Sequence, residues 1–153
     1  MPIYKQGDYW SDTADYHLIT TNSVLKKNGA LVMGRGLAKQ ARDSIPGIDK
    51  QFGRWIQEFR NETGHWTYGL LLPKPGFENA DYGVFQVKYN FSEDAILELI
   101  IYSTGMLAER ARNEPDKTFA LNFPGIGNGG LEYDTVKPVI DLLPNNVNVW
   151  TFE

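Results

Sequence analysis

The sequence contains no cysteine and only two histidines among its 153 residues. Without thiols the chain can form no disulfide, no thiolate metal site and no cysteine nucleophile, and two histidines exclude a histidine-rich zinc site. We therefore expect neither a bound metal nor another cofactor. No stretch approaches the roughly 20 consecutive apolar residues that a membrane-spanning helix needs. The first eight residues lack the apolar core of a signal peptide, so we expect a cytoplasmic protein.

A surplus of positive charge is also missing. The 15 lysine and arginine side chains are outnumbered by 19 aspartate and glutamate side chains, which gives a formal net charge of -4. Neutralising nucleic-acid phosphates requires basic side chains gathered on one face, so this balance argues against a nucleic-acid-binding α/β domain. A local basic pocket for a small anionic ligand remains compatible with it.

What the sequence does have is a regular alternation of apolar segments. Hydrophobic residues make up 42% of the chain and aromatic residues 13%, which is enough for a buried core. Strands are predicted at 2–5, 15–21, 66–72, 83–89, 118–121 and 147–152, and helices at 37–44, 49–60, 92–112 and 134–143. The alternation predicts an α/β protein with a single domain over 1–153, and we expect a monomer.

Some boundaries have their own signals. Ser92 and Asp134 are residue types that favour the N-cap position, so we expect each to begin a helix. The segments 66–72 and 83–89 predict a hairpin whose long tip covers 74–82.

The stretch 122–131 carries four glycines between a predicted strand and a predicted helix. Glycines at such a point let backbone N–H groups turn inward and approach an anion, and the positive end of the following helix adds to the attraction. We therefore predict half of a phosphate-binding site here; the alternative is a tight connection without a ligand. The candidate binding residues are Pro124, Gly125, Ile126, Gly127, Asn128, Gly129, Gly130 and Leu131.

Another glycine-containing stretch lies earlier in the chain, at 28–38, and has the same strand–loop–helix setting. Arg35 within it has a side chain that can pair with a phosphate or remain solvated. Two such loops predict a ligand with two phosphates, or with a phosphate and a sugar. Neither stretch is a P-loop, because no Gly-Lys-Ser/Thr follows, and neither completes the GxGxxG fingerprint. Kinase and dehydrogenase functions are therefore not indicated.

Three single residues are further candidates. Asp8 precedes the aromatic pair Tyr9-Trp10, and a carboxylate beside flat rings suits an adenine; the alternative is a turn or cap residue. Asn22 follows a strand, where it can bind a ribose or a base or simply form a turn. Lys88 lies near the end of another strand, where it can hold a phosphate or act on a sugar carbon, or be a surface lysine.

These pieces together resemble the macro domains, a family of ADP-ribose-binding proteins. The similarity is greatest to the branch with the terminal ADP-ribose protein glycohydrolases and the yeast-type ADP-ribose 1''-phosphate phosphatases, and it extends to phage-encoded proteins. The matching stretches occur in family order at 7–8, 19–22, 33–38, 124–131 and 147–150. The resemblance implies a three-layer α/β/α fold with a mixed central sheet.

The resemblance also implies roles for these residues. Asp8 would accept from the adenine amino group with Tyr9 beside it, Trp150 would flank the adenine, and Thr21 and Asn22 would line the ribose side. The distal ribose and one phosphate would lie against Met33, Gly34, Arg35, Gly36, Leu37 and Ala38, and the diphosphate against the N–H groups of 125–131.

The catalytic residues are only partly matched. Lys88 aligns with the lysine that attacks the distal ribose in the glycohydrolases, but the aspartate that follows their second glycine loop has no counterpart here. Glu132 and Asp134 are the candidate substitutes. The resemblance therefore implies either a hydrolase acting on ADP-ribose 1''-phosphate or ADP-ribosylated protein, or a non-catalytic ADP-ribose-binding module.

Overall fold

In a computed structural model, the described residues, 1–73 and 79–152, form a six-stranded sheet with helices on both faces. The strands are β1 (Ile3–Gln6), β2 (Tyr16–Thr21), β3 (Leu70–Leu71), β4 (Tyr82–Gln86), β5 (Phe119–Asn122) and β6 (Val147–Thr151). The helices are α1 (Gly36–Ser44), α2 (Ile48–Thr63), α3 (Leu97–Asn113) and α4 (Tyr133–Ile140), with short 3₁₀ helices at Tyr9–Ser11 and Gly127–Gly129.

The sheet is mixed, as expected. Its strand order is β1-β6-β5-β2-β4-β3, and β3 alone pairs in the antiparallel sense. In the register of the parallel strands, Asn122 lies opposite Trp150 and Thr21 lies opposite Gln86. The carboxyl ends of five strands therefore meet along one edge of the sheet.

Alternating side chains of the strands divide the core into two layers. Leu18 packs with residues of α3 and α4 on one face, and its neighbour Ile19 packs with residues of α1 and α2 on the other. Both side chains are fully buried, and burying such a side chain contributes about 1.5–3 kcal/mol. The α/β/α arrangement implied by the resemblance is confirmed.

The helix α3 starts at Leu97 and not at Ser92, so the predicted cap is wrong. The backbone N–H of Ser92 donates to Asn90 Oδ1 at 3.0 Å, and the Ser92 hydroxyl donates to the same atom at 2.9 Å. The Glu93 carboxylate accepts from the Asn90 N–H at 2.9 Å. These side-chain bonds close a separate turn before the helix, because asparagine and serine compete well for backbone groups in turns.

Of the two other boundary predictions, the helix cap at Asp134 is wrong and the hairpin is confirmed. The N-cap position of α4 is Glu132, and Asp134 lies inside the first turn, so the predicted Asp134 cap is wrong. The predicted hairpin is present as the antiparallel pair of β3 and β4, although β3 has only two residues. Residues 74–78 of the predicted tip lie outside the described residues. No helix in the described ranges is long and apolar enough to cross a membrane.

Candidate ligand-binding cleft

A cleft of about 1190 Å³ opens at the carboxyl ends of the parallel strands. Each of the five strands brings residues to it, either from its last positions or from the residues that follow. They include Gln6, Thr151, Asn122, Thr21 and Lys88. Ligands of open α/β sheets bind outside this edge, so the cleft lies where such a fold is expected to bind a ligand.

The first glycine loop, residues 32–38, leads into the start of α1 at the cleft. Arg35 takes the N-cap position in an extended conformation (φ -145°, ψ 155°), and its side chain makes no capping hydrogen bond. The N–H groups of the first turn, Gly36 to Ala38, have no partner within the helix, and the positive end of the helix dipole lies with them. Gly36 has a positive φ of 57°, which favours glycine. This loop end is suited to an anion.

The segment before this loop is packed firmly onto α2. Leu25 and Leu31 form an isolated antiparallel bridge, and the Leu31 N–H donates to the carbonyl oxygen of Asp49 at 2.9 Å. A Cβ atom on Gly53 of α2 would lie 1.9 Å from the carbonyl oxygen of Gly29, so only glycine permits this approach. The segment that precedes the first glycine loop is therefore held in place by its contacts with α2.

Asn22 ties the first glycine loop to the end of β2. Its Nδ2 donates to the carbonyl oxygen of Val32 at 2.9 Å, and its Oδ1 accepts from the Val24 N–H at 2.8 Å. The buried Tyr68 hydroxyl donates to the carbonyl oxygen of Asn22 at 2.6 Å and lies 2.6 Å from Thr21 Oγ1. Burial raises the pKa of Tyr68 well above its usual range, so the hydroxyl remains a donor. The Asn22 amide nitrogen thus holds the first glycine loop, while its oxygen closes a local turn with Val24.

The second glycine loop, residues 124–131, forms the opposite side of the cleft. Its ends are joined by a hydrogen bond from the Leu131 N–H to the carbonyl oxygen of Gly125 at 2.9 Å. Gly125 has a φ of 84°, and a Cβ atom there would lie 2.6 Å from Ile100 Cδ1. Gly127 and Asn128 begin the 3₁₀ helix, so their N–H groups have no partner within it. Backbone donors therefore border the cleft on both sides.

The charge of the cleft differs from that of the whole chain. Lys5, Arg35 and Lys88 line it, and within the described ranges no aspartate or glutamate does. The chain carries a net charge of -4, yet the cleft concentrates cations. Charges of one sign in a concave site attract a ligand of the opposite sign, so the cleft favours an anion.

Lys88 lies in the loop that follows β4. Its Nζ donates to the carbonyl oxygen of Glu93 at 3.1 Å and to that of Phe91 at 3.5 Å. A lysine attacks carbon only as the uncharged amine, so nucleophilic chemistry would require the loss of a proton and the release of these bonds. Neither Glu132 nor Asp134 lines the cleft, so neither is placed there as a proton-transfer partner.

Comparison with known proteins identifies the architecture. No protein-family model matches the sequence, and no curated protein matches it. Among solved structures, the macrodomain of Thermus aquaticus DarG is similar, with a TM-score of 0.71 and 24% identity, over 100% of this chain and 98% of that one. The chain has the macrodomain fold.

Two further solved structures are similar to this chain. The macrodomain of Mycobacterium tuberculosis DarG has a TM-score of 0.73 and 21% identity, over 100% of this chain and 99% of that one. Thermosipho africanus DarTG in complex with ADP-ribose has a TM-score of 0.75 and 22% identity, over 96% of this chain and 40% of that one. The similarity therefore spans two-fifths of the Thermosipho chain.

Most of the residues predicted for the site are brought together in the macrodomain cleft. Those that line it are Thr21, Asn22, Met33, Gly34, Arg35, Gly36, Leu37, Ala38, Lys88, Gly125, Ile126, Gly127, Asn128, Gly129 and Trp150. Pro124, Gly130 and Leu131 belong to the second glycine loop but do not line the cleft. The Trp150 indole is fixed by a hydrogen bond from its Nε1 to Asp12 Oδ2 at 2.7 Å.

The placement of Tyr9 is a correction. Its side chain is 1% exposed, and its hydroxyl donates to the carbonyl oxygen of Leu18 at 2.8 Å, so it packs in the macrodomain core and not beside a ligand. Asp8 is exposed but also lies outside the cleft lining. Its carboxylate accepts from the Trp10 N–H at 3.0 Å and caps the first 3₁₀ helix.

Several cleft residues were not predicted. Lys5, Thr20 and Asn122 stand at or near the carboxyl ends of their strands, the same signal that singles out Asn22 and Lys88 in the sequence. Three exposed aromatic residues also line the cleft, and no sequence pattern indicates them because they lie after β4, at the start of α4 and after β6: Phe91, Tyr133 and Phe152. Within the described part of the macrodomain, no three histidine or acidic side chains come together as a metal site requires.

Proposed function

We propose that this macrodomain binds ADP-ribose or a derivative in the cleft and hydrolyses a group on the distal ribose. The group would be a 1''-phosphate or a link to protein. The observation that carries the proposal is the cleft between two glycine loops, with three cations and, within the described residues, no carboxylate in its lining. The fold is shared with a Thermosipho africanus protein solved in complex with ADP-ribose, which supports the same ligand.

The cleft suggests how the ligand lies. Trp150 belongs to β6 and Lys88 follows β4, with β5 and β2 between them. Three strand spacings of about 4.8 Å separate these ends by roughly 14 Å, so an extended ligand is needed to reach both. We place the adenine near Trp150, the diphosphate between the glycine loops, and the distal ribose near Lys88.

The chemistry would rest on position and charge. Backbone N–H groups of both glycine loops hold the diphosphate, which fixes the distal ribose against Lys88. In one route a water molecule attacks the anomeric carbon, the bond from that carbon to the leaving oxygen breaks, and a proton of the water passes to the phosphate or protein side chain that leaves. In the other route the Lys88 amine loses its proton and attacks first, the same bond breaks, and a water molecule then cleaves the carbon–nitrogen bond, which releases ADP-ribose and restores the amine. The fixed N–H donors stabilise the negative charge that develops without having to reorient.

A second candidate is a module that binds ADP-ribose without turnover. It is favoured by the lining of the cleft, which in the described ranges contains no carboxylate to transfer a proton beside Lys88. Glu132 is exposed at the cap of α4, and Asp134 is exposed in its first turn.

One set of measurements separates these functions. ADP-ribose is titrated into the protein by calorimetry, and the protein is then incubated with ADP-ribose 1''-phosphate and with ADP-ribosylated protein. We expect binding and release of phosphate or ADP-ribose. Binding without release would reject the hydrolase and support the module that binds ADP-ribose without turnover. Failure to bind any of the three ligands would overturn both candidates.

A further inference from the structure

The floor of the cleft contains a polar group that the fold does not satisfy. Asn122, the last residue of β5, donates from its Nδ2 to Thr20 Oγ1 at 2.9 Å. Its Oδ1 is buried and has no hydrogen-bond partner among the described residues. Both Asn122 and Thr20 line the cleft. Leaving a buried acceptor without a donor is unfavourable, so few such groups persist without a reason.

The position of this group relates it to both glycine loops. Asn122 is separated from the second glycine loop by one residue, and Thr20 is two residues before Asn22, which holds the first glycine loop. Asn122 also lies opposite Trp150 in the register of β5 and β6. The amide is therefore under the middle of the cleft, between the adenine end and the Lys88 end.

We infer that Asn122 determines ligand specificity by accepting a hydrogen bond from a ribose hydroxyl next to the diphosphate. The inference rests on the proposed function and adds the sugar hydroxyl to the groups that the cleft recognises. A diphosphate has no hydrogen to offer Oδ1, whereas a ribose hydroxyl beside it does. The ligand would then complete the bonding of Asn122, whose Nδ2 is already held by Thr20.

The test combines protein variants with ligand analogues. Asn122→Leu keeps the branched shape of the side chain and removes both polar atoms, whereas Asn122→Asp keeps the acceptor. Calorimetry compares ADP-ribose with analogues that lack one hydroxyl of either ribose. For at least one analogue, we expect wild-type protein to bind about tenfold more weakly than it binds ADP-ribose. Asn122→Leu should bind ADP-ribose and that analogue with equal affinity, and Asn122→Asp should again bind ADP-ribose more tightly than the analogue.

A stability measurement separates this role from a structural one. Asn122→Leu removes the Oδ1 atom that has no partner among the described residues, but it also removes the bond from Nδ2 to Thr20, so the two effects on stability oppose each other. We therefore expect its melting temperature to stay close to that of the wild type, while its affinity for ADP-ribose falls about tenfold. Thr104→Val is the matched control, because the Thr104 hydroxyl is also buried and has no partner among residues 1–73 and 79–152, and Thr104 lies on α3 outside the cleft lining. This variant should keep its stability and its affinity.

The outcomes are distinct. If wild type and Asn122→Leu discriminate equally between ADP-ribose and every analogue, the role of Asn122 is overturned and ADP-ribose binding stands. Asn122→Ala, which adds no volume, gives the same comparison should the leucine variant not fold. If the wild type does not bind ADP-ribose, the proposed function and the inference are overturned together.

Discussion

Gly36 and Asn128 approach each other across the cleft. A Cβ atom on Gly36 would lie 3.5 Å from Asn128 Nδ2, an ordinary van der Waals contact. Gly36 opens α1 in the first glycine loop, and Asn128 belongs to the 3₁₀ helix of the second. The two loops therefore come together over the cleft, and a side chain added to either changes the space in which the diphosphate would lie.

Replacing Gly127 by glutamate should abolish ADP-ribose binding. Gly127 has room for a side chain, since a Cβ atom would meet no other atom within 4 Å. The new carboxylate would reach into the cleft and repel the diphosphate, and we expect affinity to fall by more than about a hundredfold by calorimetry.

The matched control is Gly64→Glu at the end of α2. Gly64 also has a positive φ, 81° against 63° for Gly127, and also has open space around it. Both variants carry a similar backbone cost of about 1–2 kcal/mol, but only the Gly127 variant should lose binding. Wild-type affinity in Gly127→Glu would mean that the second glycine loop is a connection and nothing more.

Lys88→Ala should stop turnover while ADP-ribose still binds. The side chain borders one end of the cleft, so its loss removes one of three cations but leaves both glycine loops in place. We expect affinity to fall by less than about tenfold, and release of phosphate or ADP-ribose to drop at least about a hundredfold in a single-turnover assay.

Lys5→Ala provides the comparison for this prediction. Lys5 is a second cation of the cleft lining, and its Nζ lies 5.5 Å from the centre of the Trp150 ring, at the other end of the cleft. Its removal should weaken binding with little change in the rate of the bound substrate. Equal turnover in Lys88→Ala and wild type would remove Lys88 from the chemistry.

Tyr68→Phe should lower the free energy of unfolding by about 1–3 kcal/mol, because the Asn22 carbonyl and the Thr21 hydroxyl both lose a buried partner. Urea unfolding monitored by circular dichroism measures the change. Tyr9→Phe is the control, since the Tyr9 hydroxyl is equally buried but has one partner, the Leu18 carbonyl. A larger loss in Tyr9→Phe would contradict the importance of the network at the end of β2.

Asp15 should make stability depend on pH in the acid range. Hydrogen bonds from the Thr118 N–H and hydroxyl hold the pKa of the Asp15 carboxyl below its usual value of 3.8. The charged form therefore favours the folded state above that value, and its contribution is lost as pH falls through the lower pKa of the native protein.

Asp15→Asn tests this contribution. At pH 6 the variant should unfold at a lower urea concentration than the wild type, and the difference should shrink as pH falls below 3.8. The screening of this exposed carboxyl by solvent makes the effect small. Unfolding midpoints that differ by the same amount at every pH would contradict it.

The strands and helices follow closely from the sequence pattern, and the exceptions have local causes. The periodicity of apolar residues predicts where β2 and α2 lie, because the same residues form the core. The periodicity does not predict the start of α3. That start depends on whether Asn90 Oδ1 accepts hydrogen bonds from Ser92 and closes a turn, or whether Ser92 caps a helix. Such competition is decided by geometry that residue types alone do not reveal.

The parts of the cleft that are formed by continuous stretches of sequence could be predicted. The parts that depend on the order of the strands in the sheet could not. Glycines beside a strand end indicate both loops directly. Sequence does not show that β6 lies between β1 and β5, and this order brings Lys5 and Trp150 to one end of the cleft. The core position of Tyr9 was also missed, because an aromatic residue next to a polar turn is equally typical of a ligand site and of a buried anchor.

The place of β6 in the sheet also bears on how the molecule is made. Among the described residues, β1 pairs only with β6, so β1 lacks this neighbour until residues 147–151 have been synthesised. A nascent chain that stops short of that point holds both glycine loops but lacks one wall of the cleft. Under the proposed function, a ribosome-bound fragment that ends before residue 147 should therefore not bind ADP-ribose, and binding during translation would report completion of the sheet.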